Sequence, residues 1–514
     1  MHQYIEIMDT TLRDGEQTDG VSFSTFEKMQ IARYLLENLK VDRIELASAR
    51  VSAGEEETTR EVFQWARERG LDRRIEILGF VDHTHSVDWI RQTGGSVINL
   101  LAKGSLRHCE QQLGKSLVEH LLDIERTVQY AVDNGVKANI YLEDWSNGYL
   151  DSPDYVREML RALKSLPIHR FLFPDTLGIM SPAEVRAGIG DALNTHPDLA
   201  IDFHGHNDYN LAVANCMAAV EAGVRGLHVA VNGLGERAGN APLESVVTAL
   251  HDKLKVKTGV QEIAIMGASR LVETFSGKRI QSNRPIVGQD VYTQTAGIHA
   301  DGDKKNNLYA NPILPERFGR KRVYALGKLA GRASITNNLR MMGIELSDEK
   351  EKLLLERIKQ LGDQKKTVTA DDLPFLIEDL FGSKVADRRI VIEAASVRSE
   401  LSGRPLASIR LTFHGETYES EAEGDGGYDA FMNALAVIAE KLNWKLPALS
   451  DYEVRIPPGG KTDALVETVI VWDSEATGRT FRTVGVATDQ VIAAIRATEK
   501  MLNRLFQPLP ISVV

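Results

Sequence analysis

The feature that most constrains this chain is a regular alternation in about its first 235 residues, where short apolar runs alternate with longer amphipathic stretches. The short runs predict buried strands, and apolar residues spaced three and four apart in the longer stretches predict helices that pack on one face. The predicted strands are Ile5–Asp9, Arg43–Ala47, Ile75–Phe80, Val97–Leu101, Ala138–Leu142, Arg170–Phe173, Ala200–Phe203 and Leu227–Val231. The predicted helices include Thr25–Leu39, Glu56–Arg69, Leu117–Asn134, Pro153–Leu166, Pro182–Asn194 and Leu211–Ala222, with Ala241–Leu254 as the last.

This order of elements predicts a parallel α/β fold, because each strand is followed by a helix. The number of strands and their span are typical of a (β/α)8 TIM barrel of roughly 250 residues. The alternative is a doubly wound open sheet, which normally carries a glycine-rich phosphate turn after its first strand. The turn in this chain, Thr10–Gly15, contains a single glycine, so the sequence favours the barrel.

A change of pattern divides the rest of the chain. From about Val256 to Ala386 the sequence is polar and irregular, and from about residue 388 strands and a helix alternate twice. We expect the barrel over residues 1–275, linker and lid subdomains over 276–387, and an α+β domain of two strand-strand-helix repeats over 388–514. The predicted elements of that last domain are the strands Ile390–Ser396 and Pro405–Phe413, the helix Tyr428–Leu442, the strands Leu449–Ile456 and Thr468–Trp472, and the helix Thr488–Phe506.

Composition excludes several classes of protein. The formal net charge of -11 is unlike that of a general nucleic-acid binder, which is usually basic. The two cysteines, Cys109 and Cys216, lie far apart and supply neither a disulfide framework nor a zinc–thiolate site. No stretch approaches the roughly 20 apolar residues that cross a bilayer, and the first residues lack the pattern of a signal peptide. We therefore expect a cytoplasmic protein with no nucleic-acid or membrane partner.

A candidate metal site follows the seventh predicted strand, where His204 and His206 are two residues apart and point to the same side. Alone, such a pair is more often a surface or hydrogen-bonded pair than a ligand pair. In a closed barrel, however, the first, seventh and eighth strands are neighbours, and their carboxyl ends bring Asp14 and Asn240 to the same side of the mouth. Oxygen and nitrogen donors without sulfur suit Mn²⁺, Mg²⁺ or Zn²⁺. The sequence therefore predicts a divalent metal site with positions left open for a substrate.

Three further polar residues follow barrel strands: Arg13 after the first, Glu143 after the fifth and Thr176 after the sixth. Each also has a structural explanation, respectively an ion pair with Asp14 or Glu45, a hydrogen-bond acceptor and a helix cap. A non-catalytic metal sensor would not need all three beside the metal. Their convergence at the carboxyl ends of the strands therefore favours an enzyme.

Three motifs, Asp9–Gln17, His204–Asp208 and Asn232–Asn240, together resemble the family of 2-isopropylmalate, homocitrate and citramalate synthases. The resemblance extends over the whole chain, including the C-terminal repeats. It implies a homodimeric enzyme that joins acetyl-CoA to a 2-oxo acid with a barrel-bound divalent metal and then hydrolyses the thioester. The alternative on the same barrel is a relative of the HMG-CoA lyases, which generally lack the C-terminal repeats.

The resemblance also implies how the oxo acid is bound. The metal would chelate its carboxylate and oxo oxygen, and Asp14 would contact the substrate as well as the metal. Arg13 would bind the substrate and stabilise the alkoxide that forms, because its charge is fixed and its shape fits oxyanions. Thr176 would hold the substrate carboxylate through its hydroxyl group.

For the acetyl group, the resemblance implies that Glu143 is the base that removes a methyl proton. His299 would be its partner in proton handling, reaching the site from the second subunit, and Tyr309 would bind substrate in the same way. A basic cluster lies further along the chain and comprises Arg317, Arg320, Lys321 and Arg322. These side chains either contact the phosphates of acetyl-CoA or form a solvated face.

The choice of oxo acid depends on a side-chain pocket, for which the resemblance implies Leu78, Leu101 and Tyr141. Three bulky residues there leave room for a methyl group and crowd an isopropyl group, which predicts pyruvate as the substrate. The alternative is 2-oxoisovalerate, the substrate of a 2-isopropylmalate synthase in the leucine pathway. An extra apolar group in such a pocket changes the free energy by about 1–3 kcal/mol, so size alone discriminates modestly.

The C-terminal domain resembles the part of the family that binds a feedback inhibitor. For an enzyme of pyruvate the implied inhibitor is isoleucine, whereas leucine would accompany a 2-isopropylmalate synthase. The residues that resemble the inhibitor pocket are Tyr428, Asp429, Leu449, Tyr452, Ile456, Val466 and Gln490.

Overall fold

The structure is a computed structural model, and it describes residues 3–294, 308, 311–341, 344, 346–363, 368, 373–381, 390–455, 466–474 and 479–506. The chain divides into two compact units. The first comprises Met1–Tyr292 and Ala310–Arg322, and the second comprises Thr293–Tyr309 and Val323–Val514.

The first unit contains a closed barrel of eight parallel strands, in which each strand pairs with the next and β1 pairs with β8. The predicted TIM barrel is therefore confirmed, and the doubly wound alternative is wrong, because an open sheet would leave its edge strands unpaired. The strands are β1 (Glu6–Asp9), β2 (Arg43–Ser48), β3 (Ile75–Phe80), β4 (Val97–Lys103), β5 (Lys137–Glu143), β6 (Ile168–Asp175), β7 (Ile201–Gly205) and β8 (Gly226–Val229).

Helices cover the outside of the barrel and bury their apolar faces against the strands. Three of them begin with a serine capping box, in which the serine and a glutamate three residues later satisfy each other's backbone N–H groups. The helices are α1 (Thr25–Arg33, continued by the wider turn Tyr34–Leu39), α2 (Ala53–Glu68), α3 (His85–Thr93), α4 (Leu117–Asp133), α5 (Trp145–Asp151), α6 (Pro153–Leu163), α7 (Pro182–Thr195), α8 (Ala212–Ala222), α9 (Leu243–Ala249, continued by Leu250–Leu254) and α10 (Ile265–Ser276).

Buried polar side chains are linked across the barrel strands. Arg43 contacts the carboxylates of Glu76 and Asp202, and Asn99 donates to Glu45 Oε1 over 2.8 Å. Asn139 donates to Asn99 Oδ1 over 2.9 Å. Such groups are tolerated in a core because they pair with one another. The network therefore satisfies these polar groups inside the barrel and fixes the direction of the Glu45 carboxylate.

The second unit begins with a two-stranded sheet of β9 (Thr293–Gln294) and β10 (Val323–Tyr324). Three helices with a small apolar core of their own follow, at Arg332–Met341, Asp348–Asp363 and Leu373–Phe381. Next come two antiparallel sheets, each followed by a helix that packs on it. The first sheet consists of β11 (Ile390–Arg398), β12 (Leu406–Phe413) and β13 (Glu416–Glu423), with the helix Gly427–Lys441; the second consists of β14 (Ala448–Arg455), β15 (Val466–Ser474) and β16 (Arg479–Ala487), with the helix Gln490–Phe506.

The predicted repeat is confirmed, but each repeat has three strands where two were predicted. In the first repeat, the strand that was not predicted is β13, whose sequence ETYESEAE contains no apolar run. It forms one edge of its sheet, and none of its eight residues is buried. The strand therefore lacks the apolar residues by which the other strands were predicted.

Within the described part of the chain, no helix has both the length and the apolar content needed to cross a membrane.

Candidate functional site

Three side chains converge at the carboxyl end of the barrel: Asp14 after β1, His204 in β7 and His206 directly after it. Their potential ligand atoms all lie within 4.8 Å of one another. His204 Nε2 is 3.3 Å from His206 Nε2 and 3.7 Å from Asp14 Oδ2. All three residues are buried. Two imidazole nitrogens and one carboxylate oxygen at these separations can face a single ion, with coordination positions left for a substrate.

The protonation of these groups suits a cation. Burial lowers the pKa of His204 well below its ordinary value, and burial also lowers the pKa of His206, so both rings are neutral and can act as ligands. Burial opposes the charge of Asp14, but the neighbouring Arg13 and the two imidazoles hold the pKa of Asp14 well below its usual range. The cluster therefore offers one anionic donor and two neutral donors at physiological pH.

Asn240 orients the Asp14 carboxylate, because its side-chain N–H₂ donates to Asp14 Oδ1 and to the Leu234 carbonyl, each over 2.8 Å. Its Oδ1 is buried and has no hydrogen-bond partner in the described part of the chain. This unsatisfied oxygen and the three donors together fit a divalent ion. The loop before Asn240 closes tightly at Gly239, where φ is +88° and a Cβ would lie 2.1 Å from the Gly233 carbonyl oxygen.

Arg13 makes both of the ion pairs that the sequence suggested. Its Nη1 donates to Asp14 Oδ2 and its Nε donates to Glu45 Oε2, each over 2.6 Å. Burial disfavours its charge, but Glu45 and Asp14 raise its pKa above the ordinary value. The guanidinium is therefore a fixed positive charge beside the candidate metal ligands, held from below by the polar network of the barrel.

The three predicted pocket residues come together. Leu78, Leu101 and Tyr141 form an apolar cluster with Leu172 at the same end of the barrel. The Tyr141 ring packs edge-on against His204, with ring centroids 6.1 Å apart, so the cluster lies beside the candidate metal ligands. Leu172 was missed by sequence reasoning. It lies opposite Tyr141 in the register of β5 and β6, which the sequence alone does not give.

Glu143 is the last residue of β5, and its carboxylate forms an ion pair with the ammonium of Lys103, the last residue of β4. Sequence reasoning did not identify Lys103. The next residue, Asp144, has a left-handed backbone with φ of +64°. Its backbone N–H donates to Thr176 Oγ1 over 2.9 Å, so Thr176 lies close to the end of β5 and keeps its own O–H hydrogen to donate.

A cavity of about 410 Å³ opens next to Glu143. Polar and charged side chains from the segment after β4 form the rest of its wall. These residues are Arg107, His108, Gln111 and Gln112.

Two predicted site residues, His299 and Tyr309, lie outside the residues that the structure describes, and their roles stay predictions. In the predicted basic cluster, Arg317 is paired with Glu262 and Asp252, at 2.7 and 2.9 Å. Arg320 donates to the backbone carbonyls of Gly288 and Gln289 over 2.5 and 2.7 Å. Both guanidinium groups thus hold the local chain together, and contact of this cluster with the phosphates of acetyl-CoA stays one of the two alternatives that the sequence left open.

In the C-terminal domain, the rings of Tyr428 and Tyr452 lie with their centroids 5.2 Å apart, and the Tyr428 hydroxyl is 2.7 Å from Thr498 Oγ1. Val466 is buried, whereas Asp429, Leu449 and Gln490 are exposed. Ile456 lies outside the described residues. The structure therefore brings the two tyrosines together.

Comparisons with known proteins cover almost the whole chain. Residues 4–272 match the HMGL-like family, residues 286–366 match the homocitrate synthase post-HMGL domain-like family, and residues 367–506 match the LeuA allosteric (dimerisation) domain. Among solved structures, that of the HMG-CoA lyase from Brucella melitensis is 21% identical, covers 54% of this chain and 100% of that chain, and has a TM-score of 0.48.

Two full-length relatives carry different names at similar identity. A protein of Methanopyrus kandleri named "Probable 2-isopropylmalate synthase" is 36% identical, with 98% of this chain and 99% of that protein covered. A protein of Archaeoglobus fulgidus named "Putative (R)-citramalate synthase CimA" is 34% identical, with 98% and 100% covered. The barrel, the C-terminal repeats and this similarity agree. The chain belongs to the family of 2-isopropylmalate and citramalate synthases, which are enzymes of the acyltransferase type.

Proposed function

We propose that this chain is an (R)-citramalate synthase, which condenses acetyl-CoA with pyruvate and hydrolyses the thioester to give citramalate and CoA, a step towards isoleucine. The observation that carries the proposal is the cluster of Leu78, Leu101, Tyr141 and Leu172 beside the candidate metal ligands. Bulky side chains at these positions favour the methyl group of pyruvate over the larger isopropyl group of 2-oxoisovalerate.

In this proposal, Asp14, His204 and His206 would hold a divalent ion, which would supply a Lewis acid for the oxo group of the substrate. Arg13 stabilises the negative charge that develops on the oxo oxygen, because Glu45 and Asp14 hold its guanidinium in place. Thr176 donates its O–H to the substrate carboxylate. These residues bind the oxo acid and make its carbonyl carbon electrophilic.

Glu143 then acts as the base. Its carboxylate takes a proton from the methyl group of acetyl-CoA, and the electron pair of the broken C–H bond forms the new C–C bond to the oxo carbon. The π pair of the C=O bond moves onto the oxo oxygen as an alkoxide, which takes a proton from water to give the hydroxyl group of the product. The thioester reaches Glu143 from the cavity lined by Arg107 and Gln111. Water subsequently attacks the thioester carbonyl, and CoA leaves as a thiol.

The experiment that tests the proposal measures CoA-thiol release with pyruvate, 2-oxobutanoate and 2-oxoisovalerate. We expect kcat/KM for pyruvate to exceed that for 2-oxoisovalerate by at least about tenfold. This factor is the lower end of the discrimination that an extra methyl group produces in an apolar pocket. The second candidate is a 2-isopropylmalate synthase, which the name of the Methanopyrus kandleri relative favours. A preference for 2-oxoisovalerate would establish that candidate, and release of CoA with no oxo acid would contradict both.

Shortening one pocket side chain is expected to relax the preference. Leu101 is only partly buried, so Leu101→Ala opens the pocket with little cost to folding. The ratio of kcat/KM for pyruvate to that for 2-oxoisovalerate should fall by about 10- to 100-fold, because the larger substrate gains space. The matched control is Leu122→Ala, at an exposed leucine of α4, which should leave the ratio unchanged. An unchanged ratio in Leu101→Ala would contradict the assignment of Leu101 to the pocket.

We also propose that the C-terminal domain binds isoleucine as a feedback inhibitor and that the enzyme is a homodimer. The match to the LeuA allosteric (dimerisation) domain and the paired rings of Tyr428 and Tyr452 support this. Tyr428→Ala is expected to raise the isoleucine concentration for half-inhibition at least about tenfold, since buried aromatic contacts dominate binding energy. Inhibition curves with isoleucine and leucine, beside light scattering for the dimer, measure this. Stronger inhibition by leucine would contradict the choice of effector.

A further inference from the structure

We infer that Lys103 is a positioning residue that holds the carboxylate of Glu143 in its working direction. The inference deepens the proposed function and rests on it, because it assigns a partner to the base of that reaction. No motif in the sequence marks Lys103, and the evidence for it comes from the register of two strands and the surroundings of its side chain.

The strand register places the two residues together. β4 and β5 are parallel, with Leu101 opposite Tyr141 and Lys103 opposite Glu143. Because side chains two residues apart in a strand share a face, Lys103 and Glu143 lie on the same side of the sheet as the apolar pocket and nearer the mouth. The ammonium and the carboxylate form an ion pair across this register.

The surroundings of Lys103 hold it in place. Its backbone N–H donates to His120 Nε2 over 3.0 Å, and its carbonyl accepts from the Tyr155 hydroxyl over 2.8 Å. Burial lowers the pKa of His120 to about 4, so this ring is neutral and can accept the hydrogen bond. The Lys103 side chain itself is only 10% exposed. Two outer helices, α4 and α6, thus fix the end of β4, and Lys103 presents its charge from a rigid strand end.

The Glu143 side chain, by contrast, is 24% exposed and borders the cavity. A partly exposed carboxylate can adopt several rotamers, and every unproductive rotamer lowers the population of the productive one. Arg13, the fixed cation beside the candidate metal ligands, is already paired with Glu45 and Asp14. An ion pair with a buried ammonium therefore selects one direction for the carboxylate, and a displacement of about 1 Å can cost 10²-fold in rate.

The test compares neutral and charged replacements of Lys103 in the full-length enzyme with acetyl-CoA and the best oxo acid of the panel. We expect Lys103→Met and Lys103→Gln to lower kcat by about 10- to 100-fold, with KM for the oxo acid within about twofold of the wild type. Lys103→Arg should recover most of kcat, because it restores a cation to the carboxylate. A purely structural role would instead lower thermal stability without this recovery by arginine.

A second readout isolates the proton transfer. Exchange of the acetyl-CoA methyl hydrogens with D₂O, in the presence of a non-reacting oxo-acid analogue, should slow in the neutral variants by the same factor as kcat. The matched control is Lys164→Met, at an exposed lysine after α6, which should change neither rate. Wild-type kcat and exchange in either folded neutral variant would overturn the inference, as would failure of arginine to restore the rate. Absence of CoA release by the wild type with every oxo acid would instead overturn the proposed function.

Discussion

Replacing Glu143 by glutamine is expected to leave a folded enzyme that binds its metal and its oxo acid but turns over about 10³-fold more slowly. Glutamine keeps the shape of the side chain and loses the basic oxygen, so proton removal from the acetyl methyl group has no acceptor. The oxo acid is held by other groups, Arg13 and Thr176 among them, so its binding should persist. CoA-thiol release measures turnover, and calorimetric titration with pyruvate measures binding.

The matched control for this substitution is Glu221→Gln. Glu221 lies at the end of α8, is exposed and pairs with Arg186, so the same chemical change is made away from the barrel mouth. Its kcat should equal that of the wild type. If Glu143→Gln instead retained more than about one tenth of wild-type kcat, another group would have to be the base.

The strand pattern of the sequence located the site residues more reliably than it identified their partners. The apolar runs predicted strands that end at Leu101 and Leu142, but β4 and β5 continue to Lys103 and Glu143. A polar residue at the end of an apolar run looks like the start of a loop, because hydrophobicity falls there. Backbone pairing between neighbouring strands extends the ladder regardless, and this brings the ammonium and the carboxylate into register.

The interior of the barrel shows a different limit. Glu45, Glu76, Asn99 and Asn139 all lie within runs that were correctly predicted as strands, yet their mutual hydrogen bonds could not be derived from spacing. Each contact joins residues that are far apart in the chain, and it depends on which inward positions the closed barrel places at the same height. The pairing of Arg13 with Glu45 was foreseeable only as one option, because a second carboxylate, that of Asp14, competes for the same guanidinium.

The convergence of Asp14, His204 and His206 was the most predictable part of the candidate site, since it follows from barrel closure and from the two-residue period of a strand. It also leads to the second large prediction. Treatment with a chelator is expected to abolish turnover, and addition of Mn²⁺, Mg²⁺ or Zn²⁺ should restore it. His204→Ala and Asp14→Asn should lower metal affinity by more than the roughly 10- to 100-fold typical of losing an outer-shell partner, because each removes a direct donor. Metal analysis after dialysis and CoA-thiol release measure the two effects.

The two variants remove different candidate metal ligands and differ in their effect on Arg13, so their comparison is informative. Asp14→Asn keeps the shape of the side chain but removes the anionic donor and one partner of Arg13, whereas His204→Ala leaves the Arg13 pairs intact. If the residues act through a shared cation, both variants lose metal and turnover together, and added metal at high concentration should partly rescue them. His169→Ala, at an exposed histidine near the opposite end of β6, is the control and should keep both. Wild-type metal content in His204→Ala would show that the two histidines and Asp14 converge for some purpose other than holding an ion, and the proposed condensation would then lack its Lewis acid.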